Sequence, residues 1–233
     1  MKVMLESKRV IATIERLSWR IKDRFPTSDL YEVCRHLHEI AQQTERTATR
    51  IARPVWALRA VIIALSAAFL IAMVAILIHY ETEDSVTLFG LVQAVDAGAN
   101  LLILITLGVA FLWSIETRIK RSRAIRAIND LRDIGHVIDM KQLTKDPDVI
   151  GIQTHATTHS PQRKLDAFGM GRYLDYCTEM LSLTSKLGYL YVENFHDTEV
   201  TNAATELENL CSGLASRIGQ KIVILQARNH APA

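Results

Sequence analysis

Two long uncharged runs constrain this chain more than any other feature. From Ala60 to Ile78 it reads AVIIALSAAFLIAMVAILI, nineteen residues in which Ser66 is the one polar side chain. As a helix at 1.5 Å per residue this run is roughly 28 Å long, the thickness of a bilayer's hydrocarbon core. A second run of nineteen, AGANLLILITLGVAFLWSI from Ala97 to Ile115, carries Asn100 and Thr106 as its notable polar members. Buried helices of soluble cores are also apolar all round, but they rarely sustain such a run beyond about 14 residues. A signal peptide would lie at the extreme N-terminus, whereas the first run begins about sixty residues in. The expectation is an all-α integral membrane protein with two transmembrane helices. The rest of the chain, which brings charged residues to 22% of the whole, forms a cytoplasmic helical bundle.

Charge placement orients these spans. No Lys or Arg occurs between Arg59 and Arg118, so all 27 basic residues flank the pair, while the connecting segment carries Glu81, Glu83, Asp84 and Asp96. Basic flanks stay cytoplasmic, so both termini are expected inside and the acidic connection outside. Trp56 and Trp113 fall near the two cytoplasmic edges and Tyr80 near the outer one, where amphipathic rings prefer to sit.

Between Gly108 and Gly135 there is no Gly or Pro. The second span is therefore expected to leave the bilayer as one continuous helix whose surroundings change from acyl chains to cytosol. Past the membrane edge Ile128, Leu131, Ile134 and Ile138 keep a narrower apolar stripe, suited to packing on one side. The crossing point is basic: Arg118, Lys120, Arg121 and Arg123 lie in RIKRSR. Positive-inside topology with snorkelling side chains accounts for this patch better than recognition of anionic lipid or nucleic acid.

The remaining segments also carry helical periodicity. Val10, Ile14, Leu17 and Ile21 recur at three- and four-residue steps, Pro26 ends that helix, and Thr27 or Ser28 caps the next, with Leu30, Val33, Leu37, Ile40 and Ile51. Pro54 interrupts the chain just before the first span. Leu174, Cys177, Leu181, Gly188, Tyr191 and Phe195 follow a three-four spacing, and Val200, Ala203, Leu207, Leu210, Leu214, Ile218 and Leu225 repeat it. With Asp197 or Thr198 as cap between them, these segments predict a long antiparallel hairpin with coiled-coil-like packing. The segment TKDPDVIGIQTHATTHSPQR (144–163) has no apolar period and reads as a loop. The expected organisation is N-terminal helices over 1–54, a span within 55–80, a short acidic external loop over 81–96 and a second span over 97–116. Its cytoplasmic continuation covers 117–143, a loop 144–165 and the hairpin 166–233.

The stretches RFPTSDLYEVCRHLHEIA (24–41), RIKRSRAIRAINDLRDIGHVIDMKQLTKDP (118–147) and RYLDYCTEMLSLTSKLGYLYVENF (172–195) resemble a family of uncharacterised bacterial two-pass inner-membrane proteins with a cytoplasmic helical domain. The resemblance covers most of the chain. It implies the same architecture and a bacterial inner membrane, and it carries no activity, ligand or catalytic residue.

Chemistry-bearing constellations are sparse. His155 and His159 sit four apart in a segment that Gly151, Ser160 and Pro161 mark as loop, with no placed carboxylate or cysteine to complete a coordination shell. His36 and His38 diverge on a helix, and His136 with Asp139 suits a hydrogen-bonded surface pair. Cys34, Cys177 and Cys211 lack metal-binding spacing and read as buried structural thiols. FGMGRY (168–173) precedes a helix without a preceding strand, which makes a poor phosphate loop. No catalytic group, metal or cofactor is assigned.

Two features of the spans bear on assembly. Ala60, Ala64, Ala68 and Ala72 form a small-residue ridge along the first span, and Gly98, Thr106, Ala110 and Ser114 fall on a comparable line in the second. Such ridges suit close packing of the spans on each other or on a neighbouring subunit. Asp96 and Asn100 share a face if the second helix begins near Val86, and would then ring a pore entrance in an oligomer. The preferred alternative makes Val86–Val95 a separate interfacial helix and Asp96 an N-terminal residue of the second span. The expected function is a membrane-anchored helical scaffold or interaction protein, self-associating or binding a cytoplasmic protein, without nucleic acid or small-molecule ligand. The alternative is a homo-oligomeric channel with Asp96 and Asn100 at its outer mouth.

Overall fold

The computed structural model describes residues 6–54, 56–80, 88–147, 158 and 165–229. Six helices account for nearly all of them: α1 (Ser7–Arg24), α2 (Asp29–Ala52), α3 (Trp56–Tyr80), α4 (Leu88–Leu143), α5 (Ala167–Asn194) and α6 (Thr198–Asn229). No strand occurs among the described residues, so the fold is all-α. The chain divides into two compact units, one formed by Met1–Ala52 with Arg123–Ala233 and the other by Arg53–Ser122. Helix α4 contributes its first part to the second unit and its last part to the first.

The discontinuous unit is a helical bundle with α5 at its centre. Helices α1, α2 and α6 all pack on α5. The expected stripe of Leu174, Cys177, Leu181, Gly188 and Tyr191 is buried, and Phe195 is only partly so. Tyr173, Tyr176, Met180, Leu187 and Leu190 are buried too, so α5 is covered well beyond a two-helix seam. Beyond the expected seam with α6, α5 therefore also packs against α1 and α2, which needs more than an a/d stripe. On α6 the buried line runs Val200, Ala204, Leu207, Cys211, Leu214, Ile218 and Leu225, while Ala203 and Leu210 flank it. Gly188 lets α5 and α6 approach closely: a Cβ there would lie 2.8 Å from Leu207 Cδ2.

In α1 the buried positions are Val10, Ile14, Leu17, Ser18 and Ile21. In α2, Leu30, Val33, Leu37 and Ile51 are buried as the spacing predicts, whereas Ile40 is half-exposed and Ala41 takes the core position. The last part of α4 buries Ala124, Ile128, Leu131, Ile134 and Ile138 at steps of three and four. Three helix starts carry side-chain caps for their unsatisfied N–H groups, whereas α1 has none at Glu6. Ser28 Oγ accepts from Leu30 N at 3.2 Å, Asp166 Oδ1 from Gly169 N at 2.8 Å, and Asp197 Oδ1 from Glu199 N at 3.1 Å. Gly169 therefore lies in the first turn of α5, and FGMGRY is helix rather than a loop ahead of one.

The end of α4 is tied down from two directions. Lys221 Nζ on α6 donates to Gln142 Oε1 at 2.7 Å and to the carbonyls of Gln142 and Lys145 at 3.2 Å. Tyr173 on α5 donates its hydroxyl to the Lys141 carbonyl at 3.2 Å. An ammonium on the last carbonyls of a helix satisfies orphan acceptors and complements the negative end of its dipole.

The second unit has the opposite surface. Among the described residues, none between 53 and 122 belongs to the hydrophobic core. On α3 Val61, Ile63, Leu65, Leu70 and Ile71 are exposed, and on α4 Val92, Leu102, Ile103, Leu104, Leu107, Phe111 and Trp113. Within α4 the stretch Val95–Leu143 is long and apolar enough to cross a membrane, and none of its most apolar window is buried. It is the one helix that meets this test among the described residues; α3, Trp56–Tyr80, carries the apolar run Ala60–Ile78. Helix α4 begins at Leu88, so the part of the expected external loop from 88 to 96 is helical. Glu81, Glu83 and Asp84 lie outside the described residues, as do His155, His159 and most of the 144–165 segment.

Candidate functional site

Within the apolar unit the single buried residue among those described is a carboxylate. Glu116, 8% exposed, pairs with Lys120 Nζ at 2.9 Å one turn along α4 and with Arg59 Nε of α3 at 3.6 Å. Lys120 is itself mostly covered, its side chain 13% exposed. A carboxylate between two cations at the end of an apolar helix pair offsets its own desolvation and fixes the two helices at that level. Glu116 was not singled out by sequence reasoning. Its spacing of four from Lys120 was visible, but the partner on the other helix was not.

The expected basic patch is accordingly divided. Lys120 is engaged by Glu116, Arg118 and Arg123 are exposed, and Arg121 is half-buried with a partner of its own.

Between α3 and α4 lies a slot of about 350 Å³ lined by Leu65, Ser66 and Phe69 on one side and by Leu101, Leu104, Ile105, Gly108, Val109 and Leu112 on the other. The alanine ridge is not part of it: Ala60, Ala64, Ala68 and Ala72 are all exposed. Of the two expected packings of this ridge, on the other span or on a neighbouring subunit, the first is not the arrangement seen within the chain. Larger residues line the side of α3 that meets α4, and nothing lies within 4 Å of a Cβ built on Gly98 or Gly108.

Asp96 and Asn100 occupy successive turns of α4, both exposed, and Asn100 Nδ2 donates to Asp96 Oδ2 at 3.4 Å. Since α4 is continuous from Leu88, the alternative with a separate Val86–Val95 helix and Asp96 near a helix start does not hold.

In the bundle the three cysteines are buried. Burial pushes the thiols of Cys34 and Cys177 up to about 12 and that of Cys211 up to about 11. Buried, protonated thiols are poor nucleophiles and poor metal ligands. Burial likewise raises Tyr173 and Tyr191 above the ordinary tyrosine range. Asp139 accepts from Gln142 Nε2 at 2.7 Å, and His36 Nδ1 lies 3.5 Å from Glu39. No group of three or more His, Cys, Asp or Glu is placed to hold a metal among the described residues. An arginine cluster surrounds Tyr176, with the guanidinium carbons of Arg20 and Arg172 each 5.2 Å from the ring centroid. Each arginine also has its own acid, Glu179 at 2.8 Å and Asp175 at 3.1 Å, so the cluster is internally neutralised.

One groove of the bundle carries an acidic rim. Helices α2 and α4 border a groove of about 650 Å³ lined by Glu32, Val33, His36, Ile40 and Gln43 of α2 and by Asp130, Asp133, Ile134, Val137, Met140 and Lys141 of α4. Its one lysine is bound to Asp29 at 2.9 Å. Periodicity placed Ile134 and Val33 on core faces, but the pairing of α2 with α4 that builds the groove has no local signature in the chain.

Comparison with family models, with curated proteins and with solved structures finds no match.

Proposed function

We propose that this chain is a two-pass membrane protein of the bacterial inner membrane, with both termini cytoplasmic. The bundle acts there as an interaction module for a protein partner or a second copy, and it performs no reaction of its own. The observation that carries this reading is the change of surface between the two units. The apolar unit presents its large aliphatic and aromatic side chains outward, while the bundle buries its apolar residues and leaves charge outside. Exposed apolar area of that extent is stable where the solvent is lipid. The basic flanks on both sides of the pair support cytoplasmic termini. The inert thiols and paired acids support a binding rather than catalytic role. The resemblance of 24–41, 118–147 and 172–195 to bacterial two-pass membrane proteins agrees with this placement.

A second reading is favoured by one observation: two exposed polar side chains, Asp96 and Asn100, on an otherwise apolar stretch of helix. In a ring of subunits they would line the outer mouth of a pore. The deciding experiment is the mass of the intact chain in nanodiscs by light scattering, with lipid subtracted. A ring of five or more subunits favours the pore and justifies current recordings on Asp96→Asn. A monomer or dimer removes the pore and leaves the interaction module. Single-cysteine labelling at each terminus in sealed inverted vesicles checks the orientation.

A further inference from the structure

The α2–α4 groove combines an apolar floor with an acidic rim. Helix α2 spans eleven steps from Glu32 to Gln43, and α4 eleven from Asp130 to Lys141, so the groove is about 16 Å long at 1.5 Å per residue. That is three turns of a helix laid along it. Asp29 at the start of α2 meets Lys141 at the end of α4, so the two walls run antiparallel.

The floor is unfilled from above. Ile40 and Val137 are only partly covered although both pack against the core, and Met140 is 57% exposed at the groove edge. Methionine is an adaptable side chain well suited to an apolar partner surface. Around this floor stand Glu32 on one wall and Asp130 and Asp133 on the other. None of the three makes an ion pair or side-chain hydrogen bond among the described residues, and Lys141, the lysine of the lining, is already held by Asp29. In a chain of net charge +2, this groove thus gathers three acids without a basic partner among the described residues.

We propose that this groove is the docking site for a basic amphipathic helix of a protein partner. Its aliphatic face would rest on Ile40, Val137 and Met140, and its Lys or Arg residues would meet Glu32, Asp130 and Asp133. Helix-in-groove recognition requires an apolar channel a few turns long, which the floor supplies, and complementary rim charge sets partner sign and encounter rate. The proposal rests on the reading of the bundle as an interaction module and names its partner class.

The test uses the full chain in zwitterionic phosphatidylcholine nanodiscs at physiological salt. The probe is a fluorescein-labelled 14-residue peptide of Leu and Lys at amphipathic helical spacing, read by fluorescence anisotropy with empty nanodiscs subtracted. A matched peptide with Glu in place of Lys is the control. The expected result is saturable binding of the cationic peptide, no binding of the acidic one, and at least tenfold weaker binding to the triple variant Glu32→Gln, Asp130→Asn, Asp133→Asn. A benzophenone on the peptide's apolar face should crosslink to Met140 or Val137. These three rim side chains are charged and unpaired, so circular dichroism and thermal unfolding should report an intact fold in the variant.

Equal affinity for wild type and variant, or crosslinks outside α2 and α4, overturns the proposal. Light scattering on the same samples separates the remaining case: a dimer that the rim variant dissolves means that the groove takes a second copy, and the assignment to a basic partner falls. If self-association persists while peptide binding fails, the groove assignment alone is lost and the interaction module stands.

Discussion

Gly135 and Gly188 are both buried glycines in helix interiors, and their surroundings give substitution to alanine opposite signs. A helix-interior glycine costs about 1 kcal/mol relative to alanine, through the backbone freedom it loses on folding. At Gly135 a new Cβ would sit 3.9 Å from both Cys211 Sγ and Leu210 Cδ2, ordinary contact distances that add attraction without pressure. Gly135→Ala should therefore stabilise the bundle by about 1 kcal/mol. At Gly188 the new methyl would lie 2.8 Å from Leu207 Cδ2, so the fully buried Leu207 must shift within the core. Overpacking of this kind costs roughly 1–3 kcal/mol and outweighs the propensity gain, leaving a net loss of about 1 kcal/mol. The assay is thermal unfolding of the full chain in nanodiscs, followed by Trp19 fluorescence in a Trp56→Phe, Trp113→Phe background so that the signal comes from α1. For a domain in the 150–250-residue class each kcal/mol moves Tm by about 2–4 °C. Gly135→Ala should rise and Gly188→Ala fall by about that much. Shifts of the same sign, or a fall in Gly135→Ala, would refute the packing argument.

Three further outcomes are expected. Glu116→Gln leaves Lys120 largely covered without its counter-charge and should lower stability by about 2 kcal/mol, with Lys120→Met restoring part of it in the double variant, as read by thermal unfolding in nanodiscs. Lys221→Met strips three acceptors at the end of α4 and should cost about 2 kcal/mol in the same assay, whereas an unchanged midpoint would make that contact network idle. The thiols have folded values raised from 9.0 to about 12, 12 and 11, so their contribution is complete below pH 9 and is lost as pH climbs through 11 to 12. Urea midpoints should fall across that window, less steeply in Cys177→Ala, and iodoacetamide at pH 8 should leave all three unmodified in the folded chain.

What could be read from the chain depended on the range of the interactions involved. The core positions of α1 and of the last part of α4 follow from three-four spacing because each packs a single face, and the caps at Ser28 and Asp197 are local hydrogen bonds. In α5 the periodic positions are buried but form a subset of a broader buried surface, because burial by several neighbours is a property of the assembled bundle. For the alanine ridge, spacing defines a line on a helix but not what faces it: the line is exposed and does not line the slot against α4. Helix α4 starts earlier than expected because Leu88–Val95 contains no breaker except Gly90, which a helix tolerates. The acidic groove and the Arg59–Glu116 pair join residues many turns apart in the chain, so neither leaves a periodic trace.

The discontinuity of the bundle has a consequence for biogenesis. Helices α1 and α2 are synthesised first, yet the α5 surface they cover is made only after α3 and α4 have been translated. More than a hundred residues separate Ala52 from the end of α5, and at about 5–20 residues per second a ribosome takes on the order of 10 s to make them. Throughout that interval Val10, Ile14, Leu17, Leu30 and Leu37 lack the α5 surface they will be buried against. The nascent N-terminal pair must wait with an incomplete partner set while the apolar helices find their solvent. A holding chaperone that recognises exposed aliphatic helix faces, or a truncation ending before Ala167 that aggregates, is the cellular signature this order of synthesis implies.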